Sequence, residues 1–227
     1  MRLGKRIFDL VCATALGLLI SPWIVWIAYK VWRQGDGSIL YRAERMRGVD
    51  LAFTLYKFRT MRGGDDAEIG VTGGDKADRI TEFGAKLRRR HLDELPQLWN
   101  VIRGDISFVG PRPPLREFVE RFPDIYSQVL KDKPGVTGLA TLIYNDREEA
   151  VLARCKTPAE TDAVYCQRCI PSKTRLDMIY QRNAGFALDL WIIGATLRQI
   201  SGKNPRRAKV PNRKSSARNP VPLLTSN

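Results

Sequence analysis

Residues Leu87–Pro113 read LRRRHLDELPQLWNVIRGDISFVGPRP. An arginine run, two adjacent carboxylates, an apolar helical repeat and a Gly-Pro-Arg-Pro turn follow one another in this stretch. Proline is tolerated only in the first turn of a helix, so Pro96 predicts Asp93 as the N-cap and Gly104 as the C-terminal stop. Leu95, Leu98, Val101 and Ile102 then supply a buried stripe at helical spacing. A helix N-terminus favours negative charge and binds phosphate oxygens through free N–H groups. Asp93 and Glu94 there, behind Arg88, Arg89 and Arg90, describe a site for anions, where a carboxylate can attack phosphorus or hold a divalent cation. The plain alternative is ordinary capping beside a solvated arginine face.

Upstream, Ile39–Arg42 and Leu51–Met61 read as two strands joined by Arg47-Gly48-Val49-Asp50. Strand side chains alternate, so Lys57 and Arg59 are expected on one face, two cations suited to a diphosphate; a solvent-facing strand edge is the other reading. Gly63–Asp78 is Gly- and Asp-rich without periodicity and reads as a loop, long enough to act as a lid. Thr81 caps a helix from Glu82 to about Arg90 that leads into the carboxylate pair.

Downstream, Pro114–Leu130 reads as a helix interrupted by Pro123, and Lys133–Gly138 as a tight turn. Asp146–Cys169 reads as a charged helical excursion, and Pro171 restarts a helix through Tyr180. In Phe186–Ile200, Phe186, Leu190, Ile193, Leu197 and Ile200 share one face, widened by Leu188 and Trp191. That stripe fits either a core or a helix lying at a membrane surface.

The chain has 227 residues and a formal charge of +14, which predicts an anionic partner. From Lys203 onward there are seven basic residues and no acidic one, in a Pro-, Ser- and Asn-rich tail expected to be disordered. That tail reads either as a solubilising segment or as a polybasic contact with anionic lipid. Cys166 and Cys169 have the spacing of half a zinc site, with Cys155 as a third candidate, but the single histidine, His91, lies in the central stretch. Ordinary reduced thiols are the favoured reading, with Cys12 a small hydrophobe in an apolar run.

Leu10–Tyr29 is an uncharged apolar run of 20 residues, the minimum for a membrane span, and too long for a signal peptide without a cleavage site. Basic residues flank both ends: Lys5 and Arg6 before it, Lys30 and Arg33 after it. Ser21-Pro22 falls at its middle, where proline removes a hydrogen bond and Ser21 can satisfy the freed carbonyl. A bent helix between two basic flanks suggests a re-entrant hairpin; a kinked single-pass anchor is the competing reading. Trp23, Trp26, Tyr29 and Trp32 crowd the second half, as aromatics do at the membrane–water interface.

Leu-Asp-Glu-Leu-Pro-Gln followed by Gly-Asp-Ile-Ser-Phe-Val-Gly-Pro-Arg-Pro resembles the bacterial sugar transferases that act on polyprenyl phosphate, the monotopic phosphoglycosyl transferases. Further matches are Tyr56–Met61, Arg79-Ile80-Thr81 and Lys133–Leu139, in the expected order from about Lys5 to Leu197. The resemblance implies an α+β, mostly helical fold. It would have an N-terminal re-entrant membrane helix (1–35), then a cytoplasmic-facing catalytic domain (36–202) with a small β-hairpin and surface amphipathic helices. The basic tail (203–227) would follow. It implies an enzyme of the bacterial inner membrane that transfers a sugar phosphate from a nucleotide sugar, expected to be a UDP sugar, to polyprenyl phosphate. Asp93 would be the nucleophile of a covalent aspartyl-phosphosugar intermediate. Glu94, with Asp93, would hold Mg²⁺, and Arg88, Arg112, Lys57 and Arg59 would clamp phosphate. Ser21 and Pro22 would form the membrane break. The expected partners are the nucleotide sugar, polyprenyl phosphate and membrane lipid, with a homodimer left open.

Many relatives follow the Lys133–Gly138 turn with Gln-Val-x-Gly-Arg. This chain has Thr141-Leu142-Ile143-Tyr144-Asn145 instead, which puts in doubt any sugar or base contact made by the missing Gly-Arg. His91 stands where relatives often have Ser or Thr and reads as a helix-end cation. A nucleic-acid binder would explain the charge but neither the apolar run nor the paired carboxylates, so no nucleic-acid partner is expected. A non-catalytic, membrane-anchored basic scaffold would explain the anchor and the tail without chemistry.

Overall fold

The computed structural model describes residues 3–35, 37–63 and 74–201. The basic tail and most of the Gly/Asp-rich loop lie outside the described residues. The architecture is mostly helical, with two small two-stranded sheets.

The chain opens with α1 (Leu3–Leu19) and α2 (Ser21–Trp32), bent by 65° at the break between them. Pro22 falls in the first turn of α2 and offers no N–H to Leu18; the Ser21 hydroxyl donates to the Leu18 carbonyl instead, at 2.9 Å. No single described helix is long and apolar enough to cross a membrane, though this bent pair passes that test of length and composition together. Leu3, Val11, Leu18, Leu19, Trp23 and Val25 are exposed on it.

The opposite side of α1 is tied into the body by polar groups. Lys5 donates to the Val109 carbonyl (2.8 Å) and to Tyr180 Oη (3.0 Å), and pairs with Asp189 (2.7 Å). Arg6 donates to the last carbonyls of α4 (Gln97–Arg103), those of Val101 and Ile102. Asp9 accepts from the Phe108 N–H. Lys5 and Arg6, counted from sequence as flanking charges at a membrane surface, are therefore committed to the interior of the fold.

β1 (Leu40–Met46) and β2 (Ala52–Phe58) form an antiparallel hairpin with Leu40 opposite Phe58 and Met46 opposite Ala52. Its buried side chains, Tyr41, Ala43, Phe53 and Leu55, pack with Ala13 of α1 and with Val101 and Ile106. The first strand is longer than the expected Ile39–Arg42, and the second stops short of Met61. One expectation fails. The Arg59 N–H still donates to the Ile39 carbonyl (3.0 Å), but the Arg59 side chain does not join that of Lys57 in lining the cleft. Its guanidinium instead bonds the Ser38 carbonyl (2.8 Å), Ser38 Oγ (2.7 Å) and the Gly63 carbonyl (3.0 Å).

The second sheet pairs β3 (Ser107–Val109) in parallel with β4 (Gly135–Thr137), Ser107 opposite Gly135 and Val109 opposite Thr137. Half of the expected turn at Lys133–Gly138, Gly135–Thr137, is thus a strand. Contact between the two backbones requires glycine: a Cβ at Gly110 would lie 2.3 Å from the Lys133 carbonyl oxygen, and one at Gly138 2.1 Å from that of Gly110. The Gly135 N–H donates to the Pro111 carbonyl (2.9 Å), which holds the Pro111-Arg112-Pro113 turn in place.

Pro123 splits the expected Pro114–Leu130 helix into α5 (Arg116–Arg121) and α6 (Pro123–Val129). α7 (Leu139–Leu152) takes in Thr141–Asn145. It is followed by α8 (Pro158–Val164), one turn of π-helix (Tyr165–Cys169), α9 (Ile170–Asn183) and α10 (Phe186–Ile200). Phe118, Val119, Val129, Leu152, Cys155, Cys169 and Ile170 form the core between these helices. All four cysteines are free thiols, and the described residues contain no cluster of three or more metal-ligating side chains. On α10 the buried side chains are Leu188, Asp189, Ile192 and Ala195, whereas Phe186, Leu190 and Leu197 of the anticipated stripe are exposed. Phe186 meets Phe8 of α1 edge to face, with ring centroids 5.2 Å apart, so the exposed apolar surfaces of α1 and α10 adjoin.

Candidate active site

α3 (Glu82–Arg89) starts as the sequence predicts: Thr81 Oγ1 accepts from the Gly84 N–H at 2.9 Å. Beyond Arg90, His91 takes a left-handed backbone with φ 52°, and one 3₁₀ turn, Leu92–Glu94, carries the carboxylates. α4 then runs Gln97–Arg103, with Pro96 at its N-cap and Gly104 (φ 86°) as its stop. Asp93 is therefore not the N-cap of α4. The reason is packing: side chains three apart align on a 3₁₀ turn, and Leu92 and Leu95 both pack against the Ile27, Val31, Phe58 and Leu87 cluster. With those two turned inward, Asp93 and Glu94 line the cleft together.

That cleft has a volume of about 610 Å³, within the range of small-molecule sites. Asp93, Glu94, Lys57, Arg88, Arg89 and Arg112 line one pole of it. Glu94 Oε1 accepts from Lys57 Nζ at 2.8 Å and from Arg112 Nη2 at 2.9 Å. Burial pushes the Glu94 carboxyl upward, but the two cations outweigh it and hold it below the usual carboxylate range. Reciprocally, Glu94 raises Arg112 above its ordinary value against the cost of burial. Asp93 is also buried, and its Oδ1 has no hydrogen-bond partner among the described residues. Arg88 is oriented by a bond from Nε to Thr60 Oγ1 (2.8 Å).

The structure thus brings Asp93, Glu94, Lys57, Arg88 and Arg112 together, and Arg59 away from them, outside the cleft lining. Asn100 was missed. It is fully buried, bonding the Thr54 carbonyl (2.7 Å), Asp105 (3.1 Å) and the Tyr56 N–H (3.1 Å). These bonds fasten α4 to β2 and so set Lys57 beside Glu94. The signal was present: an amide directly before Val101 in the apolar stripe, where it must find partners or incur a penalty. Also missed was a second polar cluster in the cleft lining, where Glu148 of α7, Tyr165 of the π-helical turn, and Lys173 and Asp177 of α9 converge.

Chemically, the first pole offers a carboxylate oxygen without a donor, a second carboxylate neutralised by two cations, and a further arginine. That set suits binding of a diphosphate and attack on it. A model of the family described as bacterial sugar transferase matches residues 1–203. The undecaprenyl-phosphate galactose phosphotransferase of Salmonella typhimurium is 38% identical over 153 residues, 61% of this chain and 32% of that protein. The uncharacterised sugar transferase EpsL of Bacillus subtilis is 34% identical over 197 residues, 86% of each chain. The UDP-glucose:undecaprenyl-phosphate glucose-1-phosphate transferase of Caulobacter vibrioides is 34% identical over 168 residues, 71% of this chain and 62% of that protein. The chain thus spans about a third of the Salmonella protein and most of the Bacillus one. With the match extending over nearly its whole length, from α1 through α10, this chain belongs to the bacterial sugar transferase family.

Proposed function

We propose that the protein transfers a sugar phosphate from a UDP sugar to undecaprenyl or a similar polyprenyl phosphate. It would be a phosphoglycosyl transferase in the first membrane step of polysaccharide or glycoconjugate assembly. The observation that carries this reading is the buried Asp93 oxygen without a donor, beside a Glu94 carboxylate clamped by Lys57 and Arg112. Asp93 attacks the phosphorus next to the sugar. The bond from that phosphorus to the nucleoside monophosphate breaks, and the monophosphate leaves with the bonding electrons. A phosphate oxygen of the lipid then attacks the same phosphorus, and the Asp93 carboxylate is released. Lys57, Arg88 and Arg112 offset the repulsion between attacking and resident anions.

Magnesium fits this donor set. Asp93 Oδ1 and the Glu94 oxygen not engaged by Lys57 and Arg112 resemble the one or two carboxylates with which Mg²⁺ binds substrate phosphates. The ion would supply charge neutralisation at the diphosphate.

The test is release of nucleoside monophosphate by the purified protein in detergent, with undecaprenyl phosphate, Mg²⁺ and a panel of UDP sugars. Release beyond one equivalent per protein with at least one donor, dependent on the lipid phosphate, is expected. No release with any donor would leave a membrane-anchored scaffold as the better reading.

We place the catalytic cleft at the cytoplasmic face of the bacterial inner membrane, with α1 and α2 as a re-entrant hairpin. The exposed apolar sides of α1, α2 and α10 support this placement. Joint replacement of Ser21 and Pro22 by Ala restores a backbone donor and removes the local hydroxyl. A straight helix over the 20-residue run, about 30 Å long, would match the hydrocarbon core. Because Lys5, Arg6 and Asp9 tie α1 to the body, the expected outcome is a mixed topology, not a complete switch. Side-specific labelling of a cysteine introduced at Leu3, after native thiols are blocked, measures it alongside turnover. Labelling identical to the parent would show that packing alone fixes the hairpin.

A further inference from the structure

The cleft has a second polar pole that the phosphate chemistry does not use. Asp177 of α9 lines it, is 6% exposed, and accepts no hydrogen bond from any described residue. Beside it, Lys173 Nζ pairs with Glu148 of α7 (2.9 Å) and donates to Tyr165 Oη (3.2 Å). Tyr165 opens the π-helical turn, a distortion frequent at functional sites. Its ring lies on Phe118, with centroids 4.8 Å apart, and under Lys173 at 5.1 Å. Burial lowers Lys173, but Tyr165 and Glu148 outweigh it, so this cation stays charged. Tyr126 of α6 also lines the cleft.

Unlike Asp93 Oδ1, the Asp177 oxygens are not sealed from the cleft, so a ligand can supply the missing donor. Burial pushes the Asp177 carboxyl up to about 7, only partly countered by Lys173. At neutral pH it can therefore both accept and donate a hydrogen bond, as a sugar hydroxyl does. The two poles are linked by Arg112, which binds Glu94 and feels the charges of both Asp93 and Glu148. Both clusters line the same cleft, so a nucleotide sugar with its diphosphate at the first has its rings within that cleft.

We propose that Asp177, flanked by the Lys173–Glu148–Tyr165 cluster, is a hydroxyl-reading subsite that receives a polyhydroxylated ring of the nucleotide sugar. This rests on the function proposed above. Two rings share that chemistry, the transferred sugar and the nucleoside ribose, and binding measurements separate them.

The experiment is calorimetric binding to the full chain in detergent, without lipid phosphate, for wild type and Asp177→Leu, which removes both the donor and the acceptor. The probes are UDP and whichever of UDP-glucose, UDP-galactose and UDP-N-acetylgalactosamine wild type binds most tightly. If the sugar is read, the variant loses about tenfold or more in affinity for the UDP sugar and keeps its affinity for UDP. If the ribose is read, both ligands weaken together. Equal binding of both ligands by variant and wild type overturns the inference and leaves the transferase reading standing. A wild-type protein that binds no nucleotide sugar overturns both.

Melting temperature guards against a structural explanation. With a folded-state value above its unfolded one, Asp177 contributes stability at low pH that is lost as pH rises through about 7. At about pH 8 the variant should therefore melt no lower than wild type. A variant that binds weakly but also melts lower there would make Asp177 a structural residue and sink the inference.

Discussion

Replacing Asp93 by Asn is expected to abolish turnover, a loss on the order of a thousandfold or more, as for other covalent nucleophiles. The substitution conserves size and rotamer but removes the electron pair that forms the bond to phosphorus. Its structural cost should be small. Among the described residues Asp93 Oδ1 has no hydrogen-bond partner to lose, and the 3₁₀ turn is held by Leu92 and Leu95 beneath it. The measurements are monophosphate release and a melting curve on the same preparation. Wild-type turnover in a folded Asp93→Asn protein would refute the nucleophile assignment and with it the covalent intermediate. Loss of turnover with a collapsed melting curve would instead point to an electrostatic role in the fold. A second readout separates nucleophile from metal ligand: with radiolabelled donor and no lipid phosphate, the wild-type protein should retain label on the chain and the variant none.

Glu94→Gln should be almost as damaging, but by a different route. Its carboxylate accepts from both Lys57 and Arg112 through one oxygen. An amide leaves two cations facing each other without a counter-charge, and it is a poorer magnesium ligand. Turnover should fall on the order of a hundredfold or more, and the magnesium concentration for half-maximal rate should rise. An unchanged magnesium titration in the variant would remove Glu94 from the metal site. Stability should also fall, by on the order of 2 kcal/mol. That figure is discounted from a fully buried pair because the Arg112 side chain is 37% exposed. The pH dependence has a definite sign. The Glu94 carboxyl is depressed in the fold, so its pairing stabilises above the ordinary glutamate value and is lost as pH falls below it. The stability gap between wild type and Glu94→Gln should thus be full near neutrality and close in acid, below about pH 4. A gap independent of pH would mean that Gln disturbs packing and not charge.

The sequence by itself settled what depends on neighbours along the chain. Thr81 caps α3, Gly104 stops α4, Pro123 divides α5 from α6, and Ser21-Pro22 bends the apolar helix. Each follows from one residue's backbone or hydrogen-bonding limits, which act within a few positions. The adjacency of Asp93 and Glu94 was legible for the same reason, whereas Lys57 as a phosphate-site cation rested on the family resemblance alone. What lay between distant residues was not. Asp93 left the N-cap because Leu92 and Leu95 pack on α2. Arg59 left Lys57 because Ser38 and the Gly63 carbonyl capture its guanidinium. Lys5 and Arg6 look like surface charges until Asp189 and the end of α4 are brought to them. Half of the turn at Lys133–Gly138 became a strand because Gly110 lets another backbone approach. Asp177, Lys173, Glu148 and Tyr165 share one pole of the cleft only because three segments converge there. In a single sequence they read as ordinary helix charges. Burial, not spacing, turns such charges into a site, and only tertiary packing decides burial.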